Sequence, residues 1–598
     1  MQNNSEQFIP CLPESAPFTA EQRAYLNGFL AGIFSRAPAS AGAILPAALT
    51  ETLAPLSILF GSQTGNAENL AKRIAKEAGK RGYAPTVHDL ANYPTAQLAS
   101  EQRVLIVTST YGDGEPPDNA KAFWNFLSGS TAPKLSQARF SICALGDSNY
   151  PKFCGFGKDV DLRLESLDAQ RIHPRADCDV DFEEPFAKWL NEALEKMGKT
   201  SETTIRPSGN PVIQQSNNPA EAPAKYSRTN PFPATLLANK LLNAAGSGKD
   251  TRHFEINLNG SGMAYEAGDA LGVIPTNCPE LVDDLLALLK CSGGETVPGR
   301  DGAETTFREA LLRHYEITKI APPFLSAVAE RTGDQALKKL AAPDANGELV
   351  TFLHGREIID LLQAHSGSRF VPAEFVTLLK KLQPRLYSIS SSPKAHPGQA
   401  HLTVNVVRYE SLARRRKGVC STFLAERVEN PVKVPVFVHT NKNFRPPPQT
   451  DRPMIMVGPG TGIAPFRAFL EERRAIGAKG GNWLFFGDQR SVTDFMYRDE
   501  LEAMLSDGAL TRLDTAFSRD QAEKVYVQHR MREHAKELFD WLEAGAHFYV
   551  CGDAKRMAKD VDAALHEVVQ TGGGRTPEQA AEYVNCLKND KRYQRDVY

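Results

Sequence analysis

Three things are missing from this 598-residue sequence: paired cysteines, long apolar runs and an excess of charge. Its nine cysteines are odd in number and form no C-x-x-C. That argues against a secreted disulfide framework, a zinc ribbon or a self-contained iron–sulfur cluster, so no metal site is expected. No run of 18 apolar residues occurs, and no transmembrane helix is expected. Sixty-nine Lys and Arg stand against 71 Asp and Glu, a net charge of −2. Such a balance creates no field that would draw in nucleic acid or an anionic membrane. Met1 to Gln7 carries no basic segment, and the apolar stretch near Phe29 comes too late and is too short for a signal peptide. These absences leave a cytoplasmic enzyme as the expectation. At roughly 100–200 residues per domain, the chain should hold three to five domains.

Composition and periodicity divide the chain. Residues 1–55 carry one helical pattern, with Tyr25, Leu26, Phe29, Leu30, Ile33 and Phe34 at helix spacing after a Thr19 cap. An Ala/Pro-rich tether follows. This helix either packs on its own domain or serves self-association. Residues 56–197 alternate short apolar runs (Leu56–Phe60, Val104–Thr108, Phe140–Ala144) with helical stretches and end in a helix over Phe182–Met197, a parallel α/β pattern. Residues 198–230, rich in Ser, Asn, Thr, Pro and Gln, read as a linker. A strand-rich region covers 231–450, with a helical insertion at about 279–382 and strands resuming at Arg385–Ile389 and His401–Tyr409. A last α/β pattern runs over 451–598, from the strand Pro453–Val457.

Strand Leu56–Phe60 runs into Gly61 and then Ser62, Gln63, Thr64, Gly65, Asn66 and Ala67 at a helix start. Hydroxyls, backbone N–H groups and a helix N-terminus suit a phosphate. The absence of G-x-x-x-x-G-K argues against a triphosphate. Alone, this loop reads first as an ordinary helix cap. Two more loops follow strands at the same sheet edge, where doubly wound sheets bind ligands. One carries Ser109, Thr110, Tyr111 and Gly112, and continues to Asp113, Glu115 and Asp118. The other carries Leu145, Gly146, Asp147, Ser148, Asn149 and Tyr150, and continues to Phe153 and Cys154. Taken together the three loops resemble the FMN-binding loops of flavodoxin-like proteins. By that resemblance, Ser62 to Ala67 hold the FMN phosphate, and Tyr111 and Tyr150 flank the isoalloxazine. Asp113, Glu115 and Asp118 are then an acidic rim for a basic electron acceptor.

Further on, Arg385, Leu386, Tyr387 and Ser388 open a strand; Tyr can stack on a flavin and Arg can pair with a diphosphate. Thr403, Val404 and Asn405 lie on the next strand with Tyr409. Gly418, Val419, Cys420 and Ser421 form a turn that starts a helix. In this order these segments resemble the FAD domain of the ferredoxin–NADP⁺ reductase family. Gly458-Pro459-Gly460-Thr461-Gly462 follows the strand Pro453–Val457. It is not G-x-G-x-x-G, yet its glycines permit close approach to a pyrophosphate. Ser518, Arg519, Lys524, Val525, Tyr526, Val527 and Gln528 supply cations and hydrogen bonds that suit the 2′-phosphate of NADP. The resemblance places Ser388, Cys551 and Asp596 beside flavin N5 and nicotinamide C4 as the hydride-transfer trio. It places Asp560 near the NADP ribose and the terminal Tyr598 over the FAD ring.

An FMN module, a linker and an FAD/NADP module with a helical insertion resemble, in that order, the diflavin reductase family. The implied fold is a flavodoxin-like doubly wound domain, an FAD β-barrel and an NADP-binding α/β domain. The implied cofactors are FMN, FAD and NADPH, with electrons passing in the order NADPH, FAD, FMN. The N-terminal helix, the tether and the ending R-Y-Q-R-D-V-Y are similar to bacterial NADPH–sulfite reductase flavoprotein subunits. Those subunits oligomerise through their N-terminal part, up to an octamer, and feed a separate sirohaem/iron–sulfur haemoprotein. Tyr111 departs from some enteric members of that group, which have a non-aromatic residue there. The alternative is a free-standing diflavin reductase with another haem or flavodoxin-like acceptor.

Overall fold

A computed structural model describes residues 53–598 except 63–64, 112–113, 148–151, 181, 199–225, 301, 343–345 and 429–431. The chain divides into Met1–Leu53 and Ala54–Tyr598. Of the first unit only Leu53 is described, so the expected N-terminal helix and tether lie outside the described residues. So does most of the Ser/Asn/Pro-rich linker.

The first module is a six-stranded parallel sheet built from β1 (Ala54–Gly61), β2 (Tyr83–Asp89), β3 (Arg103–Ser109), β4 (Arg139–Leu145), β5 (Gln170–Arg171) and β6 (Ala176–Cys178). Its order is β2-β1-β3-β4-β5, with β6 also paired to β4. Helices cover both faces, which is why Leu56, Ile58, Leu59, Val104, Leu105, Ile106 and Val107 form continuous apolar runs rather than alternating ones. The helix Asn66–Lys80 buries Ala67, Leu70, Ala71, Ile74 and Ala78, one face at helical spacing. The closing helix runs from Glu183 to Met197.

The second module is an antiparallel barrel. Strands β7 (Phe232–Leu241), β8 (Thr251–Asn257), β9 (Ala270–Val273), β12 (Arg385–Ser388), β13 (Gln399–Asn405) and β16 (Val434–His439) follow the order β12-β9-β16-β7-β8-β13. The bridge between Ile389 and Leu402, with Ser390 N donating to the His401 carbonyl, joins the two ends of this path. Between β9 and β12 lies a mostly helical insertion from Pro279 to Thr377, which also holds a small hairpin, β10 (Thr296–Pro298) and β11 (Glu304–Thr306). It has its own core around Phe307, Phe324, Phe370 and Phe375. A second hairpin, β14 (Arg408–Ser411) with β15 (Arg414–Lys417), is tied to the insertion by the buried Arg416, which donates to Glu357 at 2.8 Å and Asp360 at 2.7 Å. A buried cation held by two carboxylates is a structural tie, not a ligand site.

The third module is a five-stranded parallel sheet of β17 (Met454–Val457), β18 (Asn482–Asp488), β19 (Arg512–Phe517), β20 (His547–Gly552) and β21 (Tyr593–Val597). The order β19-β18-β17-β20-β21 reverses direction between β17 and β20. That switch point opens a crevice at the carboxyl ends of those two strands, where ligands bind in such sheets.

Candidate functional site

Two sites face each other across the junction of the first module with the other two. The first sits at the carboxyl ends of β1, β3 and β4. Ser62 is buried, and its hydroxyl accepts from Gly65 N at 2.9 Å and Ala67 N at 3.2 Å. This holds the loop open at the N-terminus of the helix Asn66–Lys80, with Gly65 in the left-handed region at φ 90°. Ser62 N donates to Asn119 Oδ1 at 2.8 Å, and Asn119 Nδ2 donates to Asp89 at 2.8 Å. Asn119 thus braces the phosphate-type loop, a role with no motif in the sequence to announce it. Gln63, Thr64, Gly112, Ser148, Asn149 and Tyr150 lie outside the described residues.

The second loop of this site is pinned at Thr110, whose N donates to the Leu145 carbonyl at 2.9 Å, and closed by paired backbone bonds between Tyr111 and Glu115. The Ser109 hydroxyl donates to the Gly61 carbonyl at 3.4 Å, tying it to the first loop. In the third loop, a Cβ on Gly146 would lie 2.8 Å from Cys154 N and 3.0 Å from its sulfur, so only glycine fits. Cys154 is buried and donates to the Ala144 carbonyl; it packs rather than lines the site. Phe153 is half-buried under Lys158. The Thr110 and Tyr111 hydroxyls are buried and have no hydrogen-bond partner. A buried unsatisfied hydroxyl is costly. Two of them at this edge fit a polar flat ligand such as FMN.

The hydride-type site lies at the switch point of the third module. β20 and β21 pair with Cys551 opposite Asp596. One carboxylate oxygen, Asp596 Oδ2, accepts from the Ser388 hydroxyl at 2.5 Å and lies 4.0 Å from the Cys551 sulfur. Residues 208 positions apart therefore converge on one oxygen. Burial pushes the Asp596 carboxyl above its usual range, with the Ser388 hydroxyl pulling the other way. Burial, and next the Asp596 charge, push the Cys551 thiol well up, so it is a neutral thiol. The turn Gly460–Ile463 abuts the same strand end: a Cβ on Gly462 would lie 2.1 Å from the Cys551 carbonyl oxygen. Tyr598 is anchored by its N to the Gly552 carbonyl at 3.1 Å and by its hydroxyl to Thr461 Oγ1 at 3.0 Å, so the chain end is held, not frayed.

Around the barrel the picture is mixed. Arg385 reaches Glu316 at 3.7 Å, Leu386 is half exposed, and burial drives the Tyr387 phenol up beside Cys420. Thr403 is buried with its hydroxyl 2.6 Å from the Tyr497 hydroxyl, and Val404 is in the barrel core. Of that trio, Asn405 alone is exposed. Tyr409 does not continue the strand as expected. β13 ends at Asn405; Val406 N still reaches the Asp250 carbonyl, the next partner in register with β8, but Val407 N turns away to the Ser421 hydroxyl. Tyr409 stands exposed on the β14 hairpin instead. Gly418 and Val419 begin the short turn Val419–Thr422, while Cys420 packs into the barrel core.

At the other flank, Ser518 and Arg519 follow β19, with their N–H groups on the Asp488 and Gln489 carbonyls at 2.9 and 2.8 Å. Lys524 is exposed, and neither its side chain nor that of Arg519 has an ion pair among the described residues. Val525 is half-buried, and Tyr526 is exposed at the start of the helix Val527–Glu533. Gln528 donates to Asp560 at 3.2 Å. Two unpaired cations at a sheet edge fit an extra phosphate.

Comparison with known proteins agrees with this division. Family models match residues 58–189 as a flavodoxin, 224–423 as an FAD-binding domain and 456–563 as an oxidoreductase NAD-binding domain. A sulfite reductase (NADPH) flavoprotein alpha-component of Bacillus subtilis is 45% identical over 99% of this chain and 97% of its own length. Proteins of the same name from Vibrio parahaemolyticus and Mannheimia succiniciproducens are 42% and 44% identical, over 100% and 91% of this chain and 95% and 90% of their own lengths. The chain belongs to this flavoprotein family. FMN, FAD and NADPH are its cofactors, as the three matched domains require. Of the three acids expected to form a rim, Asp113 lies outside the described residues, Glu115 pairs with Lys559 at 2.6 Å, and Asp118 pairs with Arg595.

Proposed function

We propose that this chain is the NADPH-oxidising flavoprotein of a cytoplasmic assimilatory sulfite reductase. It passes electrons from NADPH to FAD to FMN and then to a separate sirohaem/iron–sulfur haemoprotein, which reduces sulfite to sulfide. The bound flavins accept a two-electron hydride and release single electrons; the protein positions and insulates them. The observation that carries this reading is the convergence of Ser388 and Cys551 on Asp596 at the switch point, on the strand whose preceding residue, Arg595, contacts the Tyr111 loop. Within it, Asp596 orients the Ser388 hydroxyl, and the neutral Cys551 thiol leaves the path to the nicotinamide free of a second negative charge. Tyr598 would cover the flavin face that the nicotinamide must reach, held there by its backbone on Gly552 and its hydroxyl on Thr461. Arg519 and Lys524, with Ser518, Tyr526 and Gln528, select NADPH over NADH through its 2′-phosphate. Arg385, Tyr387 and the Gly418–Ser421 turn hold FAD; Ser62 to Ala67 and Tyr111 hold FMN.

Glu115 and Asp118 are the residues we assign to haemoprotein docking, and both are taken by Lys559 and Arg595 when the FMN module rests on its neighbours. Delivery to the acceptor therefore requires the FMN module to leave, and the linker 198–230 supplies the reach. Residues 1–55 are assigned to self-association. The direct test of cofactor selection is Arg519→Ala. It should raise KM for NADPH at least tenfold and leave that for NADH within twofold; equal effects on both would remove Arg519 from the 2′-phosphate site.

A further inference from the structure

Arg595 lies in the ending R-Y-Q-R-D-V-Y, where no role attached to it, and it sits where the first and third modules meet. Its side chain is 8% exposed and donates to both Asp118 carboxylate oxygens, through Nε at 2.9 Å and through the terminal nitrogen. Its guanidinium carbon also lies 5.3 Å from the centroid of the Tyr111 ring. The next residue on β21 is Asp596 of the hydride site. Successive strand residues point to opposite faces, so this strand presents Asp596 to one flavin site and Arg595 to the other.

The tip of the Tyr111 loop takes side-chain contacts from outside its own module. Both backbone groups of Tyr111 bond only to Glu115 across its own turn, and its hydroxyl has no partner. Its own module holds the base of the loop through Thr110 and Ser109 and pairs Asp118 with Lys121 at 2.8 Å; the third module adds Arg595 on the Tyr111 ring, Arg595 on Asp118 and Lys559 on Glu115. The Lys559 pair is exposed on both sides and weak for that reason. Arg595 is desolvated and bidentate, the geometry that gives a guanidinium its specificity. It also stacks on an aromatic, which Lys does less well.

We propose that Arg595 is a positioning residue for electron passage between the two flavin sites: by clamping Asp118 and lying on Tyr111 it fixes the FMN-binding loop against the strand that carries Asp596. This rests on the reading that Tyr111 flanks FMN. The stack requires an aromatic at position 111, so the device belongs to this chain and to relatives with that residue.

The test uses the full-length holoprotein with Arg595→Ala, Arg595→Lys and the milder Asp118→Asn. Two readouts are taken: hydrogen–deuterium exchange of residues 110–120, and the ratio of FMN to FAD reduction rates after mixing with NADPH. Arg595→Ala should raise exchange of that loop at least tenfold and lower the ratio at least tenfold. Asp118→Asn should move both in the same direction by at least threefold. Arg595→Lys should recover less than half of either effect, because a lysine restores charge without fork or stack. Lys559→Ala should change both less than twofold. Unchanged loop exchange in Arg595→Ala and Asp118→Asn overturns the clamp, and so does full recovery by Lys. A failure of the FMN reading would show separately, as Tyr111→Ala protein whose FMN content and affinity equal those of the wild type.

Discussion

Gly462→Ala is the substitution whose effect follows most directly from the geometry. Its Cβ would stand 2.1 Å from the Cys551 carbonyl oxygen and 2.8 Å from the carbonyl carbon. Both neighbours are backbone, so no side chain can rotate away. Ordinary contact begins near 3.4 Å, and the turn Gly460–Ile463 must separate from the end of β20 by roughly 1.3 Å. Overpacking of this kind costs about 1–3 kcal/mol. For a module of this size that is a fall in Tm of about 2–12 °C. The displacement falls on Cys551 itself, and a shift of about 1 Å in a reacting geometry can cost about 100-fold in rate. We therefore expect NADPH-driven flavin reduction, measured by rapid mixing, to fall about 100-fold with FAD content unchanged. Gly574→Ala is the control. Gly574 ends the helix Met557–Gly573 at φ 62° with no atom within 4 Å of its would-be Cβ. It should lose about 1 kcal/mol of stability and no hydride-transfer rate. A Gly462→Ala protein with Tm within 1 °C and rate within twofold of wild type would refute the reasoning, since the contact that forbids a side chain would then not exist.

The remaining expectations are simpler. Cys551→Ala should slow NADPH-driven flavin reduction at least tenfold while FAD stays bound; an unchanged rate removes the thiol from the mechanism. Burial lowers His253 and His547 to about 4 and His401 to about 2. A base with a depressed folded pKa contributes stability that is full above pH 6.5 and lost as the pH falls towards the folded value. Each should add about 1.4 kcal/mol per pH unit to the slope between pH 6 and 4, so denaturant unfolding of His401→Gln should show a slope shallower by that amount. An identical slope would mean that His401 is not neutral in the fold. Deleting residues 1–50 should preserve NADPH-dependent dye reduction and yield smaller assemblies by native mass measurement; the same native mass would refute their role in association.

Where function was legible in the sequence, local chemistry made it so. The runs around Leu56, Val104 and Phe140 are continuous because helices cover both faces of their sheet, and this marks a parallel α/β module without any tertiary knowledge. Glycines that no side chain could replace, Gly146 and Gly462, stand inside the loops that the motifs named. Cys551 and Asp596 came from resemblance, and register alone brings them together. What stayed hidden is what depends on packing between modules. Asp118 and Arg595 are 477 residues apart, and neither carries a pattern that predicts the other. For the same reason the sequence reads Glu115 and Asp118 as a rim for an outside partner, while both pair within the chain. Tyr409 is misplaced because Val406 and Val407 continue the strand's apolar character, while the Val407 N–H leaves the ladder for the Ser421 hydroxyl. Thr403 and Cys420 read as ligand-facing from motif position, yet one is engaged by Tyr497 and the other fills the barrel core.

The central claim is that electrons leave this chain for a separate haemoprotein that reduces sulfite. It is tested by steady-state sulfide formation from NADPH and sulfite, with the purified flavoprotein and an added sirohaem haemoprotein, reading flavin content and cytochrome c reduction on the same sample. The account predicts FMN and FAD in equal amounts, dye reduction by this chain alone and sulfide only when both chains are present. Active dye reduction without sulfide, against a haemoprotein competent with another donor, would contradict it and leave a diflavin reductase that serves a different acceptor.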